Sequence, residues 1–478
     1  MFKGYEMVVG LEVHVELKTK TKIFCACPTD FGAEPNTQVC PVCLGMPGTL
    51  PVLNRQVVDF AVKAGLATHC TIASCSKQDR KNYFYPDLPK AYQISQYDLP
   101  LCEHGYLTIQ TQEGEKRVGI TRIHIEEDAG KLVHDEQLGT LIDCNRCGVP
   151  LIEIVSEPDI RSAKEAVAYV QKLRAIMLYT GISDCKMNEG SLRCDVNLSV
   201  HKPGTPFGTR TEMKNLNSFQ SIERAITYEY RRQVEALESG EAIVQETRRY
   251  DQQSGKTYSM RRKEDADDYR YFPDPDLAPI VLTRAHIDAL GAQIPKLPDA
   301  RKADYVSRLG LSPILSERLT EKKEIADYFE QAAGYTRSPE TLGNLIISEV
   351  FRLMGEGEGT RIPIAPEHLG AVAQMVADAY INSGTAKRLI GRMWEADEDP
   401  KAIVEQEGLA QVNDPEILLA AVHKALAQNP QAVDQYRKGK LNAAKALMGA
   451  AMRETAGRGN PLVLERLVNE QLAQGIEY

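Results

Sequence analysis

Residues able to do chemistry recur near the start of the chain at a spacing of two: Glu12, His14 and Glu16 alternate with Leu11, Val13, Val15 and Leu17. Such alternation marks an extended strand, because successive side chains of a strand point to opposite faces of a sheet. Val9 to Leu17 then share an apolar face in steps of two, and the carboxylates and imidazole share the other at intervals of about 7 Å. That second face supplies hard-metal ligands or acid and base groups where it lines a cavity, and an ordinary wetted surface where it meets solvent.

The pattern returns along the chain. Residues 191–200 place Leu192, Cys194, Val196, Leu198 and Val200 on one side of a strand and Arg193, Asp195 and Asn197 on the other. A strand at 120–125 runs into Glu126, Glu127 and Asp128, with Gly130 and Lys131 behind them. Adjacent carboxylates are costly to hold together unless a cation or water screens them. Glu153 sits inside an apolar run at 151–155, where a lone carboxylate needs a partner. Strands of this kind in one sheet would give a cavity with carboxylates for two divalent metals, and with Lys131, Arg193 and Lys214 to meet phosphate oxygens. A wet sheet with scattered charges is the alternative that the pattern leaves open.

A second constellation is Cys25-x-Cys27 followed by Cys40-x-x-Cys43. This spacing suits a closed tetrahedral zinc site that pins a loop with little core of its own, four buried thiols being the plainer reading. Cys144 and Cys147 form a looser pair with no thioredoxin-like context. Ser254-Gly255-Lys256-Thr257 ends like a phosphate-binding loop, yet Tyr250 stands where its first glycine belongs, so a hairpin turn is expected there.

Elements around these residues follow from local signals. Asn54 caps a helix to about Ala67, a helix at 163–180 ends on Gly181, and another at 217–239 ends on Gly240. Residues 80–97 mix basic, aromatic and proline side chains, as in a packed surface loop or a platform for stacking a nucleotide or the end of an RNA strand, and residues 261–277 repeat that composition and are placed to cover the mouth of the sheet cavity. Beyond Pro295 and Pro298 the chain reads as helix with short connections. There, Arg437, Lys438, Lys440, Lys445 and Arg453 occur without an intervening acid, either a solvated face or a footprint for RNA phosphates.

With 57 basic and 66 acidic residues among 478, the net charge of -9 excludes a general polyanion-coating protein. No run is apolar and long enough to span a bilayer, and Met1 to Tyr5 lead straight into a strand, so no targeting segment is expected. Eleven cysteines, an odd number, do not form a secreted disulfide framework and point to a reducing cytoplasm.

Taken in order, residues 10–17, 40–45, 80–97, 124–131, 145–159, 188–197, 211–219 and 263–277 resemble the B subunits of tRNA-dependent glutamyl/aspartyl amidotransferases. The ending at 455–461 is similar to that family too. The resemblance implies an α+β, cradle-like catalytic domain with an antiparallel sheet, similar to glutamine synthetase and guanidino kinases, at 1–294. It implies a helical domain at 295–405 and a tRNA-binding tail at 406–478. The implied reaction uses ATP to phosphorylate the side-chain carboxylate of glutamate on tRNA(Gln) or aspartate on tRNA(Asn). Ammonia from a partner, the amidase/glutaminase subunit, then displaces phosphate, within a heterotrimer (GatCAB) that a small third subunit completes.

By position in the family's motifs, Glu12, His14, Glu126, Glu127, Glu153 and Asp195 are expected to hold magnesium. Lys131, Arg193, Lys214 and Asn215 are expected to act on the phosphate or carboxyl group, with Lys263 joining Arg193 and Lys214 at the nucleotide. Cys25, Cys27, Cys40 and Cys43 would carry structural zinc, and Arg437, Lys438, Lys440 and Lys445 would meet tRNA. The rival expectation is a zinc-stabilised, tRNA-binding scaffold without catalysis.

Overall fold

The computed structural model describes residues 1–135, 137–262, 269–355, 361–438 and 440–474. The chain packs as two units, Met1–Leu297 and Pro298–Tyr478.

The first unit contains strands β1 (Glu6–Glu16), β2 (Thr71–Ile72), β3 (Cys75–Ser76), β4 (Asp79–Asn82), β5 (Tyr92–Ser95), β6 (Cys102–Thr111), β7 (Gly114–Glu127) and β8 (Lys131–Asp135). It continues with β9 (Gly139–Asp143), β10 (Pro150–Ser156), β11 (Leu192–His201), β12 (Thr211–Lys214), β13 (Glu246–Asp251), β14 (Lys256–Arg262), β15 (Phe272–Pro273) and β16 (Ile280–Val281). Nine of them form one sheet in the order β14-β13-β12-β11-β1-β10-β7-β6-β2, with β1 at its centre. Every neighbouring pair is antiparallel except β12 and β13.

Three helices, α1 (Arg55–Ala67), α2 (Ala163–Thr180) and α3 (Phe219–Glu238), pack on one face of this sheet. Asn54, Ser162 and Ser218 each accept a backbone N–H of the first turn, and the Ser218 cap starts α3 at Phe219, two residues after the expected 217. Gly181 closes α2 at φ 71°, a left-handed conformation that costs other residues about 1–2 kcal/mol. Val9, Leu11, Val13, Val15 and Leu17 are all buried among these helices' apolar residues. Helices gathered on one face of an antiparallel sheet define an α+β architecture and leave the opposite face open for polar groups.

Residues 80–97 are not wholly irregular. They contain β4 and β5, which pair with each other, and β4 pairs also with β15 from residues 272–273. That partner lies almost two hundred positions downstream. A local reading therefore had no access to it. The Ser254 stretch is the turn of the β13–β14 hairpin.

The second unit is helical, from Pro298–Leu309 to Pro461–Gln474. It has one hydrophobic core running from Tyr305 to Leu409 and another from Leu418 to Leu472. Among the described residues no helix is long and apolar enough to cross a membrane.

Candidate active site and cysteine cluster

Register assembles the polar face. His14 of β1 lies opposite Arg193 of β11 on one side and Glu153 of β10 on the other, and Glu153 lies opposite His124 of β7. One row thus reads His124, Glu153, His14, Arg193 across four strands. One step along, Glu12 is opposite Asp195, and Asn197 is opposite Glu212 of β12. Residues paired in this way point to the same face, so the row is a consequence of hydrogen-bond register.

Two groups on this face have donor atoms within 4.8 Å of one another: His124, Glu126 and Glu153, and Glu12, Asp195 and Glu212. In the first, Glu153 Oε2 lies 3.4 Å from His124 Nε2 and 3.5 Å from His14 Nε2, and Glu126 Oε2 lies 3.3 Å from His124 Nε2. Burial works against charge on His124, but Glu153 and Glu126 hold its imidazolium to about 9. Burial likewise opposes ionisation of Glu153, and the two imidazoles overcome it, so its carboxyl is held well below the usual range.

In the second group, burial and then repulsion from Glu153, Glu212 and Asp195 push the Glu12 carboxyl up. Asn197 Nδ2 donates to Glu12 Oε1 at 2.8 Å, while its own buried Oδ1 has no partner among the described residues. Lys214 Nζ sits 2.5 Å from Asp195 Oδ2 and 3.4 Å from Glu212 Oε1. Crowded, desolvated oxygen donors with a spare carbonyl oxygen fit a divalent cation, which would relieve their repulsion.

The three successive carboxylates do not share a cation. Glu126 faces His124 and Lys81; Glu127 accepts from Ile94 N at 2.9 Å and pairs with Lys90; Asp128 receives both ends of the Arg193 guanidinium at 3.2 and 2.7 Å. Burial of Asp128 is outweighed by Arg193 and Arg146, and its carboxyl falls to about 2. Glu16, beside it, is pushed up to about 9 by burial and by Asp128.

Among the expected site residues, Glu12, His14, Glu126, Glu153, Arg193, Asp195 and Lys214 all border the cavities of this face. Asn215 borders one of them while its Nδ2 donates to the Tyr250 carbonyl. Glu127 is not brought there: it lies on the opposite side of its strand, in a pocket with Lys90, Lys22 and Cys43. Lys131 begins the β8–β9 hairpin, exposed, and borders none of these cavities. Lys263 lies outside the described residues. The structure adds His124 and Glu212 to the acidic groups, and Lys81 to the cavity walls. His124 stands two positions before Glu126, so alternation alone carried its signal; Glu212 had none, since β12 spans four residues.

The sulfurs of Cys25, Cys27, Cys40 and Cys43 also lie within 4.8 Å of one another, Cys40 and Cys43 at 4.0 Å. Tetrahedral zinc with Zn–S bonds of about 2.3 Å separates its sulfurs by about 3.8 Å, so the cluster fits. A hydrogen bond from the Cys25 thiol, then the Cys40 N–H and the Lys22 ammonium, hold the Cys43 thiol down to about 4. Among the described residues of the tail, Lys438, Lys440 and Lys445 are exposed, and Lys438 pairs with Asp434 at 3.1 Å. Arg437 closes the helix Pro430–Arg437.

An open antiparallel sheet bearing buried carboxylates, imidazoles and cations, next to a four-cysteine cluster, defines an α+β protein with a candidate metal-dependent active face. Residues 7–288 match the GatB/GatE catalytic domain, and residues 327–472 match the GatB domain. The chain is 53% identical over 475 residues to the aspartyl/glutamyl-tRNA(Asn/Gln) amidotransferase B subunit of Caldicellulosiruptor saccharolyticus, covering 98% of this chain and 99% of that one. It is 52% identical to the same protein of Carboxydothermus hydrogenoformans over 479 residues, covering 99% and 100%. For Geobacter sulfurreducens the figures are 50% over 476 residues, 98% and 99%. The chain belongs to the GatB family and is an enzyme component of the amidotransferase type.

Proposed function

We propose that this chain uses ATP to phosphorylate the side-chain carboxylate of Glu-tRNA(Gln), Asp-tRNA(Asn) or both, and then converts the acyl phosphate to the amide. The observation that carries this reading is the row of carboxylates, imidazoles and cations that register places on the open face of the sheet. In the first step a carboxylate oxygen forms a bond to the γ-phosphorus and the bridging P–O bond breaks, releasing ADP. In the second, ammonia bonds to the acyl carbon, phosphate leaves, and a proton is lost.

Both partners of the first step are anions, so the face must neutralise charge and hold them in line. Magnesium, held by Glu12, Asp195 and Glu212 and by His124, Glu126 and Glu153, would screen the phosphates. Lys214 and Arg193 supply fixed positive charge; Arg193 is oriented by its two bonds to Asp128, and Asn215 borders the same cavity. His14, with Glu153 behind it, places an imidazole between the two acidic groups. A cradle-like likeness to glutamine synthetase and guanidino kinases is consistent with this arrangement.

Ammonia would come from an amidase/glutaminase partner in a cytoplasmic heterotrimer that includes a small third protein. The relatives' names speak of tRNA(Asn/Gln), which supports a misacylated tRNA as substrate. We assign residues 1–294 to catalysis, 295–405 to a helical domain and 406–478 to a tail whose Arg437, Lys438, Lys440 and Lys445 contact tRNA. Cys25, Cys27, Cys40 and Cys43 would bind structural zinc.

The test is a reconstituted heterotrimer given labelled ATP and misacylated tRNA. Glu12→Gln and Asp195→Asn should each slow amide formation by about 100-fold or more while glutaminase activity persists. Unchanged amide formation in both would overturn the reading in favour of a non-catalytic, zinc-stabilised tRNA-binding scaffold.

A further inference from the structure

A cavity of about 260 Å³ opens on the sheet face between the two acidic groups, bordered by Glu12, His14, His124 and Glu153. Two cations with unspent hydrogen-bonding capacity also border it. Arg122 comes from β7, two positions before His124. Its guanidinium makes no ion pair or hydrogen bond among the described residues, and its Nε is buried without a partner. Glu103, opposite it in register, forms no ion pair with it either. Lys81 arrives from the small sheet, on β4. Its Nζ is 3.5 Å from Glu126 Oε1 and 5.2 Å from the centre of the Tyr269 ring. An ammonium bonded well to a carboxylate sits at about 2.7–2.9 Å, so most of its donor capacity is free.

The other cations nearby are engaged. Lys214 is bound to Asp195 and Arg193 to Asp128. Arg122 is half-buried, and a guanidinium whose Nε is buried without a partner is costly to keep; in a cavity lined by functional groups that cost is offset when an anion enters.

We propose that Arg122 and Lys81 are further catalytic residues that together hold an oxyanion in this cavity, the guanidinium by its fork and the ammonium as a point charge. The proposal rests on the reaction proposed above. Two oxyanions meet there: the phosphoryl group of ATP and the side-chain carboxylate of the aminoacyl-tRNA. Planar, two-oxygen recognition is what an arginine fork supplies and a lysine does not.

The experiment compares Arg122→Met, Arg122→Lys and Lys81→Met with the parent in the reconstituted heterotrimer, measuring KM for ATP and for misacylated tRNA separately, and binding of labelled ATP without turnover. Unaltered melting temperature shows that each variant folds. A rise of about 10- to 100-fold in KM and in the dissociation constant for ATP assigns the clamp to the phosphoryl group. A similar rise in KM for the tRNA alone assigns it to the carboxylate. Arg122→Lys should recover part of the loss, because it restores charge without the fork. If all three variants match the parent while Glu12→Gln abolishes amide formation, the clamp is overturned and the proposed reaction stands. If Glu12→Gln is also without effect, the reaction falls and the clamp with it.

Discussion

Lys22 offers a sharp test of the cysteine cluster, because the size of its contribution depends on what the cysteines hold. Its exposure is 0%, and its Nζ donates to the Gln38 carbonyl at 2.8 Å, reaching the Cys144 carbonyl at 3.4 Å and Cys43 Sγ at 3.7 Å. None of these partners is a carboxylate. Of the three, Cys43 is the group that can carry negative charge. Four thiolates around Zn²⁺ bear a net charge of about -2, which the ammonium offsets. Lys22→Met then leaves that charge buried and alone, which weakens zinc binding by about 10- to 100-fold. Losing one partner of a buried pair costs about 3–5 kcal/mol, a fall of about 5–10 °C in melting temperature. Without zinc the ammonium faces the single Cys43 thiolate in place of a doubly negative centre, so Lys22→Met costs less stability and has no bound metal to weaken. Calorimetry of the full chain, with zinc competition against a coloured chelator, measures both quantities. A Lys22→Met variant that melts at or above the parent and holds zinc as tightly would refute the thiolate argument.

Further outcomes follow from buried groups and from the tail. Glu229 is fully buried on α3 and accepts from Thr211, Thr257, Gln233 and both ends of Arg232. Burial opposes its charge, but Arg232, Gln233 and Thr257 hold the carboxyl below its usual value of 4.5. Its contribution is therefore complete above that value and is lost as the pH falls through the lower folded one. Glu229→Gln should cost about 3–5 kcal/mol at pH 7, and the gap in thermal stability from the parent should close in acid; a gap independent of pH would contradict this. Tyr169 is buried with a hydroxyl that has no partner among the described residues, so Tyr169→Phe should raise the melting temperature, by about 1–3 kcal/mol of stability. Neutralising Lys438, Lys440 and Lys445 together should weaken tRNA binding and flatten its dependence on salt, as filter binding across a salt series would show; an unchanged slope returns them to an ordinary solvated face.

Much of this site is written locally. Alternation at Val9 to Leu17 and at Leu192 to Val200 sorts each strand into an apolar and a polar side, and the apolar sides are buried. Capping by Asn54 and Ser162, with Gly181 at the far end, bounds two helices almost to the residue, since a cap needs a particular side chain or a particular φ at one position. The cysteine spacing brings four sulfurs together. The same period of two separates Glu126 from Glu127, so the placing of Glu127 away from the acidic groups was also present in the sequence, though motif position argued otherwise.

What the sequence could not determine is which strands are neighbours and in what register. His14 meets Glu153 and Arg193, residues well over a hundred positions away, because β1 lies between β10 and β11. Arg122 and Lys81 reach one cavity from two separate sheets, one of which closes with a strand at Phe272. Side-chain direction repeats every two residues and can be read within a strand. Strand order is a balance of long-range pairings across the whole unit, and the tertiary structure alone decided it.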